Sequence, residues 1–438
     1  MTRRHLIAGL SLASTWLSGS AWRRADSQVE RHHDVDLYVA LAQRAEQAGL
    51  DFVFRPDTVF LDPLSQAQGP GTSAMDPTLL LTCVARATRH IGLVTTISTS
   101  FQEPFHIART LESLQLISGG RAGWNLVTGL EGQDNFGHRP FLEAGARYRQ
   151  AEESLQVVQA LLRSYPDQAL RQDRSSGLYA DTRAIRPIEH QGTYFQVRGP
   201  LSLPAGRHGR IPVFQAGASE DGRGFAARHA DAVFAATPTL EAARELRTEL
   251  RQGALQNGRA AHDIRMLPGL SLYLADSQSE AQALFEQAQV HLGRAQRLAK
   301  LASILGIAVD GLPTNRRLGP DDFPEPLLPV RSRTHAELVR RHIADHRPTL
   351  NALLEAPEVV ASAHWQIVGT PEKAAEEILA WLDADAIDGV IALPGGSLGS
   401  AELFIHAVVP ALRSAGCLAT QDSVGLGLLQ RLQGARPT

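Results

Sequence analysis

The chain has 438 residues, of which 43% are hydrophobic and 20% are charged, a balance that excludes wholesale disorder and allows a large buried core. A formal net charge of −3 implies no strongly basic face, so nucleic acid is not indicated as a partner. No apolar run approaches the length of a membrane span, and the two distant cysteines, Cys83 and Cys417, fit a reducing compartment better than a disulfide framework.

The first residues allow two interpretations. Arg3 and Arg4 precede an apolar run, and small residues follow near Ser18 to Ala21, which resembles a twin-arginine export signal. Alternatively, residues 6–11 form the first strand of the fold.

From there the sequence predicts helices and strands in alternation. The helix over 38–49 is amphipathic, with Leu37, Leu41 and Ala45 on one face and Gly49 as its stop. In the first half, further helices are predicted over 77–88 and 104–117, and strands over 50–54, 91–99 and the run that ends the segment 118–128. In the second half, helices are predicted over about 143–162, 240–256 and 401–415, and a further helix follows residues 368–371 and ends at residue 383. Strands are predicted over 211–217, 231–236, 264–275 and 388–393.

Two segments interrupt the alternation. Residues 166–212 are rich in proline and glycine, and residues 279–361 are helical and too long for one connecting helix. We interpret both as insertions into a single domain that spans 1–438.

Eight predicted strands, most of them followed by a helix, indicate a (β/α)8 TIM barrel with insertions. A doubly wound open sheet is the alternative, although no clean Gly-x-Gly-x-x-Gly follows a first strand. In a parallel barrel the ligand site lies at the carboxyl ends of the strands. This places Asp57, the hydroxyl cluster that includes Thr96, and Asn125 together, and it puts Ser219 at a helix start suited to an anion.

Other chemistries find no support in the sequence. It has 16 histidines but no His-Glu-x-x-His and no Cys-x-x-Cys, so no metal site is predicted. It also lacks a Gly-x-Ser-x-Gly elbow and a phosphate-binding Gly-x-x-x-x-Gly-Lys loop, which leaves a hydrolase or a P-loop enzyme unsupported.

An ordered set of short motifs resembles the luciferase-like flavin-dependent monooxygenases, in the branch of the nitrilotriacetate and dibenzothiophene-sulfone monooxygenases. The motifs run almost from end to end of the chain, at residues 21–23, 49–57, 89–99, 103–109, 118–128 (SGGRAGWNLVT), 135–137, 147–153, 215–219 and 368–371.

The resemblance implies a luciferase-like barrel that uses reduced FMN (FMNH2), supplied by a separate NAD(P)H:flavin reductase, and O2 to oxygenate a small organic substrate. By motif match, the residues expected to bind the cofactor are Asp57, Thr96, Asn125, Tyr148 and Ser219. A homo-oligomer is also expected, whereas the catalytic residues and the substrate are not readable from the sequence.

The chain departs from the branch at Ala144, where a histidine is usual one helical turn before the tyrosine that matches Tyr148, and at Gly129, where a serine is common. Two alternatives stay open. One is a deazaflavin-dependent oxidoreductase, which the same barrel could support, and the other is a non-catalytic flavin-binding relative, which the departure at Ala144 suggests. Export cleavage near Ala21 would remove the first strand, so we predict that the strand is kept and that the protein is cytoplasmic.

Overall fold

A computed structural model describes residues 4–61, 63–67, 69–71, 73–129, 131–137, 142–216, 219–290, 293–324, 333–360, 364–418 and 426–434. Its strands, in chain order, are β1 (Ile7–Ser11), β2 (Phe52–Arg55), β3 (Gly92–Ser98), β4 (Ala122–Val127), β5 (Leu170–Asp173), β6 (Leu178–Ala180), β7 (His190–Gln191), β8 (Gln196–Val197), β9 (Val213–Ala216), β10 (Ala232–Ala235), β11 (Arg265–Leu274), β12 (Trp365–Gly369) and β13 (Gly389–Pro394).

The α-helices are α1 (Val35–Gln47), α2 (Pro63–Gln66), α3 (Pro77–Ala87), α4 (Pro104–Ser118), α5 (Ala144–Ser164), α6 (Glu220–His229), α7 (Leu240–Gln256), α8 (Gln278–Gln289), α9 (Arg294–Leu305), α10 (Arg333–His346), α11 (Leu350–Glu355), α12 (Pro357–Val360), α13 (Pro371–Asp383), α14 (Leu398–Leu403), α15 (Val409–Ser414) and α16 (Leu428–Leu432). Among these described helices, none has the length and apolar character needed to cross a membrane.

Eight parallel strands form a closed barrel. Neighbours run in the order β1, β2, β3, β4, β9, β10, β11 and β13, and β13 pairs with β1 to close the ring. The first strand, with the sequence IAGLS, is therefore an integral strand of the barrel and pairs with β2 on one side and β13 on the other. The predicted (β/α)8 barrel of eight strands is confirmed.

Alternation along the strands separates the barrel interior from the outer layer. Phe52 and Phe54 of β2 point inwards and pack with Phe214, whereas Val53 packs outwards in the core between strands and helices. Gly9 faces the ring of Phe52 so closely that a Cβ there would lie 2.4 Å from it. Glycine in β1 thus lets the aromatic ring fill the barrel.

A short C-terminal helix, α16, closes the amino end of the barrel. Its Leu428 and Leu432 belong to the interior cluster. A Cβ on Gly92 or Gly123, near the starts of β3 and β4, would lie 2.6 or 2.7 Å from Leu428, so these two glycines make the room it needs. The carboxyl end is the end left for a ligand.

The turn into β4 is held by one buried arginine. Gly119 and Gly120 adopt φ values of +68° and +91°, the left-handed region that glycine tolerates. The Arg121 guanidinium then donates to four backbone carbonyls and one hydroxyl, those of Ala85, Ile91, Ser118 and Thr88. The first half of the motif over 118–128 is therefore structural and lies at the amino end of the barrel.

The two irregular segments differ in structure. Residues 166–212 contain two antiparallel pairs, β5 with β6 and β7 with β8. The described part of 279–361 is helical, and α9 to α12 share an apolar cluster separate from the main core. That these segments are insertions into one domain stays a prediction.

β12 is an addition that the sequence pattern did not predict. Only the first part of β11, residues 265–268, pairs with β10, and residues 270–274 of β11 pair with β12 instead. β12 thus extends the barrel wall beyond the carboxyl end of β10.

The predicted closing helix over 401–415 is a continuous helical run that carries a π-helical turn in its interior. This turn, Phe404–Val408, lies between α14 and α15. Pro410 explains the π-helical turn, because proline has no N–H to donate to the preceding turn and its ring crowds the carbonyl there.

Candidate active site at the carboxyl end of the barrel

Polar side chains from neighbouring strands form a hydrogen-bonded chain at the carboxyl end. Thr96 of β3 and Asn125 of β4 are register partners, and both are buried. The Asn125 amide donates to Thr96 Oγ1 at 2.9 Å, and the Thr96 hydroxyl donates to the carbonyl of Arg55 at 2.8 Å. These two hydrogen bonds fix the amide, and Asn125 Oδ1 is left as a buried acceptor without a partner in the part of the protein that the structure describes. Such an orphan costs about 1–3 kcal/mol, so the site is suited to a ligand that donates an N–H.

Asp57 follows β2 at the same end and is half-buried. Burial raises the pKa of its carboxyl, and the negative charge of Asp76 raises the pKa further. The nearby Arg55 guanidinium lowers it only in part, because that group is directed elsewhere: it donates to the Leu12 carbonyl and lies 5.0 Å from the centre of the Tyr38 ring. The carboxyl of Asp57 is therefore closer to neutrality than that of a surface aspartate.

A second polar group joins β9 to α5 and α6. Gln215 of β9 is buried, and its amide donates to the Tyr148 hydroxyl at 3.2 Å and to the Ala216 carbonyl at 2.8 Å. Gln215 Oε1 is buried and has no partner among the described residues. Ser219 caps α6 by accepting from the Gly222 N–H at 3.3 Å. Tyr148, Gln215 and Ser219 thus lie together around the first turn of α6.

Gly222 shows how tightly this group is packed. A Cβ there would lie 2.8 Å from the Tyr148 hydroxyl, 3.1 Å from Ser219 Oγ and 3.2 Å from Gln215 Nε2. The position therefore excludes a side chain, so that the Tyr148 hydroxyl, the Ser219 hydroxyl and the Gln215 amide can pack against the first turn of α6. Backbone N–H groups and the helix dipole favour a phosphate at such a helix start.

The Tyr148 phenol is in the protonated state that a hydrogen-bond donor needs. Burial raises the pKa of its phenol, and hydrogen bonds to Ser219, Thr128 and Gln215 offset that rise only in part. The phenol is therefore protonated at neutral pH and can donate its O–H to an anion. The carboxylates of Glu220 and Asp221 in the first turn of α6 are exposed, so solvent screens their repulsion of that anion.

The structure places all five predicted cofactor residues at this end of the barrel. Thr96 and Asn125 are in direct contact, and so are the hydroxyls of Tyr148 and Ser219. Thr128, just past β4, hydrogen-bonds Tyr148 and links the two groups. Within the described residues, Asp57 makes no hydrogen bond to either cluster and shares only the strand-end position. Ala144 is the first residue of α5, one turn before Tyr148.

Sequence reasoning missed Gln215. Gln215 is the first residue of the motif over 215–219 and lies near the end of a predicted strand, so the sequence contained a signal for it. The motif match, however, selected only Ser219 from this motif. Residues 217 and 218 of that motif lie outside the described residues. In the part of the chain that is described, no cluster of three or more His, Cys, Asp or Glu side chains could hold a metal ion.

A protein-family model described as luciferase-like monooxygenase matches residues 17–387. The chain belongs to the luciferase-like monooxygenase family. This membership also accounts for the closed barrel and for the crowding of polar groups at its carboxyl end.

Relatives with known names show to which branch of the luciferase-like family this chain is similar. The chain is 33% identical over 419 residues to N-acetyl-S-(2-succino)cysteine monooxygenase of Bacillus subtilis (strain 168), which covers 94% of this chain and 93% of that protein. It is 33% identical over 429 residues to nitrilotriacetate monooxygenase component A of Aminobacter aminovorans, covering 95% and 93%. The predicted branch is therefore confirmed.

A solved structure of similar fold supports the assignment of this chain to the luciferase-like family. Riboflavin lyase, crystallised with a modified FMN and riboflavin, superposes with a TM-score of 0.86 at 27% identity and covers 99% of this chain and 96% of that one. Because the relatives that match along the whole chain are named monooxygenases, the protein is an enzyme of the flavin-dependent monooxygenase class.

Proposed function

We propose that this protein binds reduced FMN, receives it from a separate NAD(P)H:flavin reductase, and uses O2 to oxygenate a small organic substrate. The observation that carries the proposal is the pair of polar clusters at one end of the barrel, each with a buried acceptor that no group among the described residues satisfies: Asn125 Oδ1 and Gln215 Oε1. The isoalloxazine ring of FMN offers N–H donors, and its ribityl phosphate chain offers hydroxyl donors next to the anion.

The residues present fit FMN. Ser219, the first turn of α6 and the Tyr148 hydroxyl would hold the phosphate, since all three offer donors around Gly222. Asn125 would accept an N–H of the ring, with Thr96 fixing its amide. Asp57, at the end of the next strand, would lie beside the ring.

Each side chain has a limited task. Bound and reduced, FMN supplies the activation of dioxygen. Asn125 would orient the ring through its fixed carbonyl oxygen, and Tyr148 would stabilise the phosphate charge by donating its O–H. The raised pKa of Asp57 lets its carboxyl hold a proton at that position more readily than a surface aspartate would.

Two further features are part of the proposal. The name of the relative from Aminobacter aminovorans records it as one component of a larger enzyme, which supports a separate reductase here. The buried strand β1 supports a cytoplasmic location, because an export cleavage near Ala21 would remove one of the eight strands of the barrel. We also propose a homo-oligomer, on the resemblance alone.

The test is a coupled assay. Purified protein, FMN, an NADH-dependent flavin reductase and ¹⁸O₂ are incubated with a panel of small sulfides, tertiary amines and alkanes, and the products are analysed by mass spectrometry. One ¹⁸O atom in a product is expected, and Asn125→Leu is expected to abolish it. Absence of FMN binding would overturn the proposal.

Two other outcomes point to the alternatives. Binding of deazaflavin F420 in place of FMN would indicate an F420-dependent oxidoreductase. FMN binding with no oxygenated product across the panel would indicate a flavin-binding relative without catalysis, for which the departure at Ala144 is the motivating residue.

A further inference from the structure

A second polar surface lies at the barrel mouth, on the axis side of β11 and β12. The outward faces of these strands pack in the main core through Leu270, Leu272, Leu274, Trp365 and Ile367. Because side chains alternate along a strand, Ser271 of β11 and Gln366 of β12 point to the axis side, as does His364 just before β12. Ser271 and Gln366 are register partners. We call these three residues the β11–β12 surface.

Apolar groups border this surface on both sides. His364 packs on Phe234, with ring centres 5.1 Å apart and planes inclined by 24°, and Phe234 belongs to the barrel-interior cluster. On the other side Tyr273 and Val368 pack beneath α8. His364 enters the barrel because the facing residue is Gly269, whose Cβ position would lie 2.5 Å from His364 Nδ1.

Two acceptor atoms on the β11–β12 surface, His364 Nδ1 and Gln366 Oε1, have no hydrogen-bond partner among the described residues. The imidazole hydrogen-bonds the Ala235 carbonyl, which requires a proton on its other nitrogen, and burial lowers its pKa to about 4. His364 is therefore neutral at pH 7, and its Nδ1 offers a lone pair. Two acceptors on one face of the same strand end, both without a described partner, fit a ligand that donates hydrogen bonds.

We propose that the β11–β12 surface binds the substrate through an uncharged group that donates hydrogen bonds, such as a hydroxyl or an amide N–H. Acceptor atoms repel a carboxylate, and an ammonium group would need a carboxylate beside it, which none of the three side chains provides. The inference rests on the proposed function in one respect: a substrate must enter the carboxyl end of the barrel.

A carboxylate substrate is the competing case. His335 of α10 lies within electrostatic range of His364, and Lys300 of α9 lies within range of His335. The positive charge of Lys300 would favour an anion if the ligand reached that far, whereas burial lowers the pKa of His335 and leaves its imidazole neutral at pH 7.5. The experiment must therefore separate donors from anions.

The first test uses the wild-type protein labelled with ¹⁵N-histidine, saturated with FMN at pH 7.5, and probed separately with acetamide, acetate and acetone. The His364 resonance is identified by its loss in His364→Phe or, if that variant does not fold, in His364→Gln. Acetamide is expected to shift the unprotonated Nδ1 signal saturably, whereas acetone and acetate leave it unchanged. An equal or larger effect of acetate, a protonated Nδ1, or no response to acetamide, as when a buried water alone satisfies Nδ1, would overturn the inference.

The second test separates this surface from the cofactor site. His364→Phe and Gln366→Leu are expected to weaken acetamide binding about tenfold while the FMN dissociation constant stays within about twofold of wild type. His406→Phe, at an exposed position 59% accessible in its side chain, serves as the control and should change neither. A large loss of FMN affinity in His364→Phe would assign the residue to the flavin and refute the inference, whereas failure of wild type to bind FMN would refute only the proposed function.

Discussion

At residue scale, the first turn of α6 passes so close to α5 that position 222 has no room for a side chain. The contact joins the Tyr148 hydroxyl, the Ser219 hydroxyl and the Gln215 amide around one backbone N–H. Any atom added there displaces the donors that we assign to the FMN phosphate.

Gly222→Ala is therefore expected to weaken FMN binding about tenfold, or about 1.4 kcal/mol, because the new methyl group pushes the Tyr148 hydroxyl away. Fluorescence quenching of FMN gives the dissociation constant. Gly224→Ala is the matched control in the same helix: its Cβ would meet only Arg228 Nη1, at 3.6 Å, so FMN affinity should hold and stability should rise by up to about 1 kcal/mol. Equal FMN affinity in the two variants would contradict the phosphate assignment.

The departure at Ala144 gives a second residue-scale prediction. Ala144 and Tyr148 share one face of α5, one turn apart. Ala144→His is expected to tighten FMN binding, because the side-chain donor that is usual in this branch is restored. Ala146→His, which points to another face of the same helix, should have no effect. Unchanged or weaker binding in Ala144→His would show that the missing histidine does not matter.

At the scale of elements, the sequence predicted the pieces whose signal is local. The eight barrel strands and the helices between them follow from apolar periodicity, and Thr96 and Asn125 from polar residues at strand ends. β12 was missed because Trp365 and Ile367 form too short an apolar pattern to stand out beside helical neighbours. Gln215 was missed because its value lies in two contacts across elements, with Tyr148 and Gly222.

The helix α16 was missed for a similar reason. Five residues do not form a stable helix alone, and the reason for this one is the fit of Leu428 against two glycines far away in the sequence, Gly92 and Gly123. No pattern in residues 428–432 discloses those partners.

Leu428→Ala should accordingly lower the free energy of unfolding by about 2–5 kcal/mol, since a cavity opens inside the barrel. Chemical denaturation followed by circular dichroism measures the loss. Leu429→Ala, one position along and only half-buried, should cost clearly less. If both variants cost the same, α16 is an appendage and does not close the barrel.

At the scale of the whole molecule, buried histidines tie stability to pH. Burial lowers the pKa of His364 to about 4, below the value of 6.5 for an exposed imidazole, and it lowers the pKa values of His32 and His335 as well. The unfolded chain therefore takes up protons first as the pH falls. Stability is complete above pH 6.5 and declines from there towards pH 4.

Between pH 6.5 and pH 4 the free energy of unfolding should fall by up to about 3 kcal/mol on account of His364 alone, at about 1.4 kcal/mol for each pH unit. Urea unfolding at a series of pH values measures the slope. In His364→Phe the slope over this window should be shallower. A slope identical to that of wild type would mean that the imidazole is not held neutral in the fold.

The whole barrel is arranged so that α16 and Arg121 secure its amino end while Asn125, Tyr148 and Ser219 face a ligand at the other. The most direct test is a side-by-side titration of the purified protein with FMN and with riboflavin, which lacks the phosphate. Binding of FMN at least tenfold tighter than riboflavin is expected, because the donors around Gly222 hold the phosphate. Equal affinity for the two, or no binding of either, would contradict the assignment of this end of the barrel as an FMN site.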